Sequence, residues 1–380
     1  MNIKNNKLVL VDQKELYEIG SKFISNTVIN RNKCIGCNEL YEYDKNTKLS
    51  DQKIILKKNE RFKCYGCNKY VRRSHGVYLF SCVKCGELNQ KYRHFTSDLT
   101  GRVSFVSGIR TKLGHQICLK LLRAGSKVIG TTRYPEIAIE IYKKYSDYEI
   151  WSCNLSIWSE PFDMNNSNIK SDTDRLKEFI KNSYGKLDIL INCAAQTIRN
   201  KEKNVNTDNK TELNRYGDHK YLDNKYENSW CLTLDNVVQN EMEEIFRVNS
   251  IAPVILFQSF KELLELSEYN PHIVNVHSRE GIFNISKSKF HPHLNMGKAA
   301  LAMFTKMLIS SKYKTTCGKQ FYIHGCDPGW ISVDEYYQTN SPWIVPPLDE
   351  IDGASRIVYP IFANSLSCSK TIRHYNHIIL

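Results

Sequence analysis

Short runs of apolar, β-branched residues alternate with helical stretches from about residue 100 onward, and this alternation limits the possible folds more than any other feature of the sequence. Strands that are apolar on both faces and separated by helices belong to parallel sheets covered by helices. The candidate strands are Val103–Ser107, Lys127–Thr132, Glu149–Asn154, Leu187–Asn192, His272–His277 and Gln320–His324. We therefore predict one α/β domain with a doubly wound parallel sheet over residues 100–380.

One stretch interrupts this alternation. Residues 200–229 read NKEKNVNTDNKTELNRYGDHKYLDNKYENS, which is polar, charged and nearly free of aliphatic side chains. Such a composition does not bury enough apolar surface to offset the entropy lost on ordering. We predict a flexible surface insertion here.

Paired cysteines mark a separate module at residues 1–95. Six of the 13 cysteines form three C-x2-C pairs, namely Cys34/Cys37, Cys64/Cys67 and Cys82/Cys85. Two such pairs supply the four sulfurs of a tetrahedral zinc site. The second and third pairs, with the hairpin-like KYVRRSHGVYLFS between them, have the spacing of a zinc ribbon. We predict that these four cysteines bind zinc in a closed, structural site.

The first pair needs two further ligands. His75 and His94 are the candidates for a second ion that would include Cys34 and Cys37. A different pairing among the six cysteines, or a free pair of thiols, is also consistent with the sequence. The absence of a secretory pattern argues against a disulfide framework, since cytosolic thiols stay reduced.

Positive charge is concentrated in the same module. The formal net charge is +13, and residues 1–100 carry 19 Lys and Arg against 10 Asp and Glu. This charge either contacts nucleic acid, a protein or another polyanion, or is solvated surface. No apolar run approaches the roughly 20 residues of a membrane span. We expect no membrane contact and a location in the cytoplasm, with the nucleus also open.

A glycine-containing loop follows the first strand of the α/β region. Val103–Ser107 leads into SGIRTKLGHQI, in which Gly108 and Gly114 flank the start of a helix predicted over Leu113–Ala124. Backbone N–H groups and the positive end of the helix dipole bind phosphate at such a position. The context of strand, turn and helix predicts a Rossmann-type dinucleotide site.

Residues 100–365 resemble the short-chain dehydrogenase/reductase family through five motifs in the family's order: SGIRTKLG, NCAAQ, VNSIAP, VNVHSREG and DPGW. In the first, Ser107 and Lys112 replace a Thr and a Gly. The resemblance implies catalytic roles for Asn249, Ser278 and Lys298. The cofactor-binding residues that it implies are Ser107, Gly108, Arg110, Lys112, Gly114, Arg133, Asn154, Asn192, Ala194, Lys298, Pro328 and Gly329. Family members often form dimers or tetramers, so a homo-oligomer is also open.

The catalytic tyrosine of that family is missing. It lies four residues before the lysine, and here Leu294 occupies that position. The sequence resembles a divergent branch with a Cys-rich segment, a basic glycine loop, a TTR-x-P turn and HPHxNMxKAAL in place of Y-x3-K. Three histidines are candidates for the proton donor: His277, His291 and, next to the vacated position, His293.

The end of the second strand indicates the cofactor. NAD-specific members have an acidic residue there, whereas this chain has Thr131, Thr132 and Arg133. A guanidinium at this position, together with Arg110 or Lys112, suits the 2′-phosphate of NADP. We predict NADP(H), with NAD as the less favoured alternative.

Two functions are consistent with these observations. The first is an NADP(H)-dependent oxidoreductase acting on a small-molecule carbonyl or alcohol, and the resemblance places the segment after Gly329 against the substrate. The second is an NADP(H)-binding protein that has lost catalysis and uses the zinc module to contact protein or nucleic acid. Position 294 is the feature that separates them.

Overall fold

The structure is a computed structural model that describes residues 61–196, 232–331, 346–363 and 370–378. The described chain divides into two compact units. The smaller, here named the Cys unit, contains residues 61–95, 329–331 and 346–353. The larger, here named the sheet unit, contains residues 96–196, 232–328, 354–363 and 370–378. Cys34, Cys37 and the predicted insertion at residues 200–229 lie outside the described residues.

The Cys unit begins with a hairpin and a helix. Strand β1, Phe62–Lys63, pairs antiparallel with β2, Tyr70–Val71, and helix α1 spans Val83–Arg93. The hairpin surrounds the first cysteine pair of this unit, and the second pair opens α1. The predicted hairpin within residues 69–81 is not found. Tyr70–Val71 is the strand among these residues, its partner β1 precedes Cys64, and an isolated antiparallel bridge joins Ser74 to Cys82.

The sheet unit contains eight strands. They are β3 Val103–Ser107, β4 Lys127–Thr131, β5 Leu155–Ile157, β6 Ile189–Asn192, β7 His272–Val276, β8 Tyr322–Asp327, β9 Lys370–Arg373 and β10 Asn376–His377. Their order in the sheet is β10-β9-β8-β7-β6-β3-β4-β5, and every pairing is parallel except that of β9 with β10. The predicted doubly wound parallel sheet is confirmed.

Helices connect these strands. They are α2 Lys112–Arg123, α3 Pro135–Tyr142, α4 Tyr148–Trp151, α5 Ile169–Tyr184, α6 Gln239–Phe246, α7 Ala252–Glu265, α8 Pro292–Ser311 and α9 Glu350–Phe362. A π-helical turn, Arg247–Ile251, joins α6 to α7, and 3-10 turns cover Ser152–Asn154 and Arg279–Gly281. Within the ranges that the structure describes, every helix is too short or too polar to cross a bilayer.

One apolar core lies between the sheet and the helices α5 and α7. Phe105 of β3, Leu176 of α5 and Phe260 of α7 are fully buried in one apolar cluster. The Phe105 and Phe260 rings meet edge to face, with their centroids 4.9 Å apart. This packing holds the carboxyl ends of the strands in fixed positions, and in parallel α/β sheets those ends form the ligand crevice.

Two predicted strands need correction. Residues 149–154 form the end of α4 and a 3-10 turn, and β5 begins only at Leu155. A short apolar run fits a helical turn as well as a strand, and here the turn buries Trp151. The last predicted strand, Gln320–His324, is shifted to Tyr322–Asp327, and β9 was not predicted because its four residues, KTIR, carry too little pattern.

Candidate functional site

The loop after β3 closes tightly on itself. Gly108 has a φ of +77°, and a Cβ added to Gly114 would lie 2.0 Å from the Gly108 carbonyl oxygen. A Cβ added to Gly108 would lie 3.0 Å from that of Ala194. The loop therefore requires glycine at both positions, and it leads directly into α2, whose N-terminus has the character of a phosphate site.

Lys112 has a backbone conformation that favours glycine. Its φ is +51°, in the left-handed region, and its side chain is exposed. This region costs a residue with a Cβ about 1–2 kcal/mol. The loop thus has the shape expected for a phosphate loop but carries local strain at its first helical residue.

Two guanidinium groups flank one aromatic ring beside this loop. Arg110 Cζ lies 5.1 Å from the centroid of the Tyr134 ring, and Arg133 Cζ lies 5.8 Å from it. Arg110 belongs to the loop after β3 and Arg133 follows β4. Both guanidinium groups therefore lie near the same Tyr134 ring, although they come from different loops. Sequence reasoning identified both arginines but missed Tyr134, although it lies in the same TTRYP turn.

The end of β6 is tied to the end of β3. The Ser107 hydroxyl accepts hydrogen bonds from the backbone N–H groups of Cys193, at 2.9 Å, and Ala194, at 3.0 Å. The Asn192 side chain donates to Asn275 Oδ1 of β7 at 2.7 Å. Ser107 thus positions the chain after β6 through its side chain. Burial raises the pKa of the Cys193 thiol to about 12, so this thiol stays neutral.

Asn249 lies in the π-helical turn between α6 and α7, and it is buried. Its Oδ1 accepts a hydrogen bond from the Gln196 backbone N–H at 2.7 Å, and its Nδ2 donates to the Gln196 carbonyl at 2.8 Å. The side chain therefore holds the segment after β6. Such π turns interrupt the normal helical ladder and are frequent at functional sites.

Lys298 and Ser278 meet the end of β7. Lys298 is buried in α8, and its Nζ donates to the Val276 carbonyl oxygen at 3.0 Å. Burial lowers the pKa of Lys298 to about 8, although the nearby carboxylates of Glu280 and Asp327 oppose this shift. Ser278 is half-buried, and its hydroxyl has no hydrogen-bond partner in the part of the chain that the structure describes.

Leu294 fills the position of the missing tyrosine, four residues before Lys298 on α8, and is 1 % exposed. The neighbouring His293 is also buried, and its Nε2 lies 3.6 Å from Glu241 Oε1 of α6. Adjacent helical residues point about 100° apart, which directs His293 toward α6. Burial lowers the pKa of His293 to about 4, so its ring is neutral near pH 7.

His277 belongs to a buried hydrogen-bond network. Thr305 Oγ1 donates its single proton to the Leu301 carbonyl at 2.9 Å and accepts from Asn275 Nδ2 at 2.9 Å. The His277 Nε2, 2.8 Å from the same oxygen, must therefore carry a hydrogen. Burial, aided by the charge of Lys298, lowers the pKa of His277 to about 3. This ring is a structural donor, and neither Asn275 nor Thr305 was identified from the sequence.

Most predicted site residues lie at the carboxyl ends of strands, on one edge of the sheet. These positions follow or end β3, β4, β6, β7 and β8: Ser107, Gly108, Arg110, Arg133, Asn192, Ala194, Ser278 and Pro328. The Pro328 carbonyl accepts a hydrogen bond from Arg356 Nη1 at 3.3 Å. Asn154 is the exception, because it precedes β5 at its amino end. The expectation that Asn154 lies in the ligand crevice is therefore corrected.

The Cys unit brings four sulfurs together. The Sγ atoms of Cys64, Cys67, Cys82 and Cys85 all lie within 4.8 Å of one another, with Cys67 and Cys82 at 4.0 Å. Tetrahedral zinc at its usual Zn–S distance implies S···S separations of about 3.8 Å. The Cys82 N–H donates to Cys64 Sγ at 3.2 Å. This donor set fits zinc, or an iron–sulfur cluster.

His75, a candidate ligand for a second ion, has one ring nitrogen already in use. Its Nδ1 accepts hydrogen bonds from the backbone N–H groups of Val77, at 3.1 Å, and Tyr78, at 3.3 Å. The ring packs so closely on Gly86 that a Cβ there would lie 2.1 Å from His75 Cγ. His94 caps the end of α1 and is exposed.

A parallel sheet in this strand order, with a glycine loop after β3, is typical of Rossmann-type dinucleotide-binding proteins. The family model described as short chain dehydrogenase matches residues 102–216. The chain belongs to the short-chain dehydrogenase/reductase family.

One relative matches most of the chain. Uncharacterized protein R665 of Acanthamoeba polyphaga mimivirus is 33% identical over 360 residues, which cover 85% of this chain and 76% of that protein. This similarity extends well beyond the residues matched by the family model.

Solved structures share the fold. Carbonyl reductase Sniffer of D. melanogaster has a TM-score of 0.53 and 17% identity, covering 74% of this chain and 99% of its own. A short-chain dehydrogenase from Burkholderia cenocepacia J2315 in complex with NADP has a TM-score of 0.51 and 16% identity, covering 73% and 98%. At these identities the similarity concerns the fold alone.

Proposed function

We propose that the protein is an NADP(H)-dependent oxidoreductase for a carbonyl or alcohol group of a small molecule, in which Lys298 performs the proton transfer that a tyrosine performs in the ordinary members of the family. The observation that carries this proposal is the hydrogen bond from Lys298 Nζ to the Val276 carbonyl oxygen, two residues before Ser278 at the carboxyl end of β7. The glycine-dependent loop around Gly108 lies on the same edge of the sheet.

The residues present fit a phosphorylated dinucleotide. The loop closed by Gly108 and Gly114 leaves backbone N–H groups and the start of α2 for a pyrophosphate. Arg110 and Arg133, gathered around Tyr134, suit the 2′-phosphate of NADP, and the end of β4 lacks the carboxylate that would favour NAD. The Burkholderia structure with the same fold was solved with NADP, which supports this choice.

Lys298 and Ser278 account for the chemistry. When bound, NADPH supplies a hydride to the carbonyl carbon. The Ser278 hydroxyl donates a hydrogen bond to the substrate oxygen, where negative charge develops. Lys298 gives that oxygen a proton from Nζ, becomes neutral and is reprotonated from solvent. A pKa of about 8 suits proton transfer near neutral pH.

Other residues position these groups. Asn249 holds the Gln196 backbone, and Ser107 holds the Ala194 backbone, so both fix the segment after β6. The hypothesis that His293 replaces the tyrosine stays a prediction, and the contact of His293 with Glu241 favours Lys298 instead. We also propose that Cys64, Cys67, Cys82 and Cys85 bind Zn²⁺, with all four ligand positions filled by protein.

Cofactor binding is the first test. NADPH titrated into the purified chain should change its fluorescence, and Gly108→Asp should abolish the change because the new side chain would occupy the loop. If calorimetry detects binding of neither NADPH nor NADH to the wild-type protein, the proposal is wrong.

Turnover is the second test. In a carbonyl screen with NADPH, Ser278→Ala should lower kcat about 100-fold, the usual loss when one oxyanion donor is removed. Ser310→Ala, at the exposed end of α8, is the matched control and should have no effect. Activity that survives both Ser278→Ala and Lys298→Met would contradict the proposed roles.

The basic surface of the Cys unit supports a second candidate function. Residues 61–95 contain eight Lys and Arg against a single acidic residue, Glu87. Arg61, Lys63, Lys69, Arg72 and Arg73 are exposed on or beside the β1–β2 hairpin, and Tyr70 among them is 61% exposed. Cations interleaved with an exposed aromatic ring suit single-stranded nucleic acid, whose bases stack on such rings. We propose that this surface binds it.

Fluorescence anisotropy with a labelled single strand of about 12 nucleotides tests this surface, since known binding sites span roughly 4–16 nucleotides. Affinity should fall steeply with salt and should drop at least fivefold in Tyr70→Ala, because stacking on one base contributes about 1–3 kcal/mol. Lys143→Gln, an exposed cation of the sheet unit, is the control. Equal binding by wild type and Tyr70→Ala, or preference for an acidic peptide, would contradict this assignment.

A further inference from the structure

One buried tyrosine of the sheet unit contacts the glycine loop. Tyr142, the last residue of α3, is fully buried, and its hydroxyl donates a hydrogen bond to the backbone carbonyl of Ile109 at 2.8 Å. Burial raises the pKa of Tyr142 well above its usual value, so the hydroxyl keeps its proton at neutral pH. A residue of α3 thus holds a backbone group of the loop that follows β3.

The ring of Tyr142 is itself fixed by packing. The centroid of the His115 imidazole, in the first turn of α2, lies 4.4 Å from that of the Tyr142 ring, and the Trp151 indole meets the same ring edge to face at 6.1 Å. His115 Nε2 is in turn 2.9 Å from the Tyr145 hydroxyl. Because aromatic rings surround Tyr142, the direction in which its hydroxyl points is fixed.

The two N–H groups before this contact already have partners. The backbone N–H groups of Gly108 and Ile109 both donate to the Thr131 carbonyl at the end of β4, at 2.9 Å and 3.1 Å. The Ile109 side chain packs on Gly130 of the same strand, where an added Cβ would lie 2.4 Å from Ile109 Cδ1. Since both N–H groups point toward β4, the N–H groups for a phosphate come later in the chain.

The contact with Tyr142 sets the direction of the next N–H group. In a planar trans peptide the C=O and N–H bonds point in opposite directions, and this peptide is trans. The Ile109 carbonyl points to Tyr142, so the Arg110 N–H of the same peptide group points away from it. Helix α2 begins two residues later at Lys112, and the first turn of a helix offers N–H groups to an anion.

We propose that Tyr142 is a positioning residue for the cofactor, because its hydroxyl fixes the Ile109–Arg110 peptide group and thereby directs the following N–H groups of the loop toward the pyrophosphate of the dinucleotide. The effect on binding rests on the proposed NADP(H) site. The structural half of the proposal, that the hydroxyl holds the loop closed, is independent of that function.

Hydrogen exchange of the ligand-free chain tests the structural half. Tyr142→Phe keeps the buried ring and removes only the hydroxyl. The amides of Gly108 and Ile109 should then exchange at least threefold faster, because a loop that has lost this contact opens more often. Mass spectrometry of overlapping peptides measures this rate, and the amides of β7 should be unchanged. Equal exchange at Gly108 and Ile109 in both proteins would overturn the proposal, whether or not NADPH binds.

Ligands with and without a pyrophosphate test the functional half. Tyr142→Phe should weaken NADPH binding about threefold to tenfold in calorimetry, as expected for the loss of one hydrogen bond. Adenosine 2′-monophosphate has the 2′-phosphate but no pyrophosphate, so Tyr142→Phe should leave its affinity unchanged, whereas Arg133→Ser should weaken both ligands. Unchanged NADPH affinity in Tyr142→Phe, or an equal loss for both ligands, contradicts the assignment of Tyr142 to the pyrophosphate.

Tyr184→Phe is the matched control. The Tyr184 hydroxyl is hydrogen-bonded to Ser156 Oγ at 2.7 Å, and its ring centroid lies 5.8 Å from the Nζ of Lys127, at the opposite end of β4 from Thr131. This variant also loses one hydrogen bond and should leave NADPH affinity unchanged. A loss of NADPH affinity of the same size in both variants would show that Tyr142 acts only through overall stability. If the wild-type chain binds neither ligand, the NADP(H) site and the functional half are both wrong, and the exchange experiment still decides the structural half.

Discussion

Lys298 donates a hydrogen bond from Nζ to the backbone carbonyl of Val276, and this 3.0 Å contact ties the middle of α8 to the end of β7. Ser278 follows two residues later, so the cation and the free hydroxyl share one edge of the sheet. The contact also accounts for the state of the lysine, because a buried amine with one carbonyl partner gives up its proton more readily than a solvated one.

The pH dependence of reduction should report Lys298. Its pKa of about 8 means that the fraction carrying a proton falls as pH rises through 8. We expect kcat/KM for carbonyl reduction to be level below pH 7 and to fall about tenfold per pH unit well above 8, as for loss of an essential acid. Lys298→Met should lack this step in its residual rate. A wild-type profile that stays level to pH 9.5 would exclude Lys298 as the acid.

Cofactor selectivity should depend on Arg133. A charge-assisted hydrogen bond contributes about 1.5–3 kcal/mol, so Arg133→Ser should weaken NADPH binding roughly 10- to 100-fold and leave NADH binding unchanged. Arg175→Ser on α5, where the arginine pairs with Glu160 at the surface, is the control. Isothermal titration calorimetry with both cofactors measures the ratio, and a similar loss for NADH would show that Arg133 does not recognise the 2′-phosphate.

The strained loop residue offers a stability test. Lys112 has a φ of +51°, which glycine adopts without a Cβ clash. Lys112→Gly should stabilise the fold by about 1 kcal/mol, measured by urea unfolding, whereas Lys112→Ala keeps the Cβ and should not. If both variants have the same stability, the backbone strain at this residue is negligible.

The free energy of unfolding should fall steeply as the pH is lowered, because several buried histidines are neutral in the folded protein. Burial lowers the pKa of His277 and His324 to about 3 and of His115 to about 4. The unfolded chain takes up these protons near pH 6.5 and the folded chain does not, so their stabilisation is complete above pH 6.5 and is lost as pH falls. Each contributes a slope of about 1.4 kcal/mol per pH unit below 6.5.

Urea unfolding between pH 6.5 and 4.5 measures that slope. His324→Gln should remove the contribution of one histidine and so reduce the slope by about a third. An unfolding free energy that does not change over this range would show that the three rings bind protons in the folded state.

The missing phenol can be restored. Leu294→Tyr places a hydroxyl one turn before Lys298, and a positioned general acid contributes about 10²- to 10⁴-fold in rate. We expect turnover to rise at least tenfold, with about 1–3 kcal/mol lost to overpacking because Leu294 is fully buried. Leu294→Phe has nearly the same bulk without the hydroxyl and should lose stability without gaining rate. If turnover rises in both variants, the bulk of the aromatic ring and not the hydroxyl is the cause.

Local pattern predicted several features well. The α/β alternation and the helix after Gly108 depend on neighbours in sequence, and the structure has both where the pattern indicates. The spacing of Cys64, Cys67, Cys82 and Cys85 also predicted correctly that their four sulfurs lie together, because the residues of each C-x2-C pair are close in sequence. The prediction of a strand at residues 149–154 was wrong, because a short apolar run does not distinguish a helical turn from a strand.

The sequence by itself determined the family, the parallel sheet and the identity of the residues at its carboxyl edge, because these follow from local periodicity and short motifs. Only the tertiary structure decided that His277 is locked by Thr305, that His293 faces Glu241, and that Arg93 holds Asp349 across 256 positions of chain. Such contacts join residues that are distant in sequence, and their free energy depends on burial and distance, which no local pattern encodes.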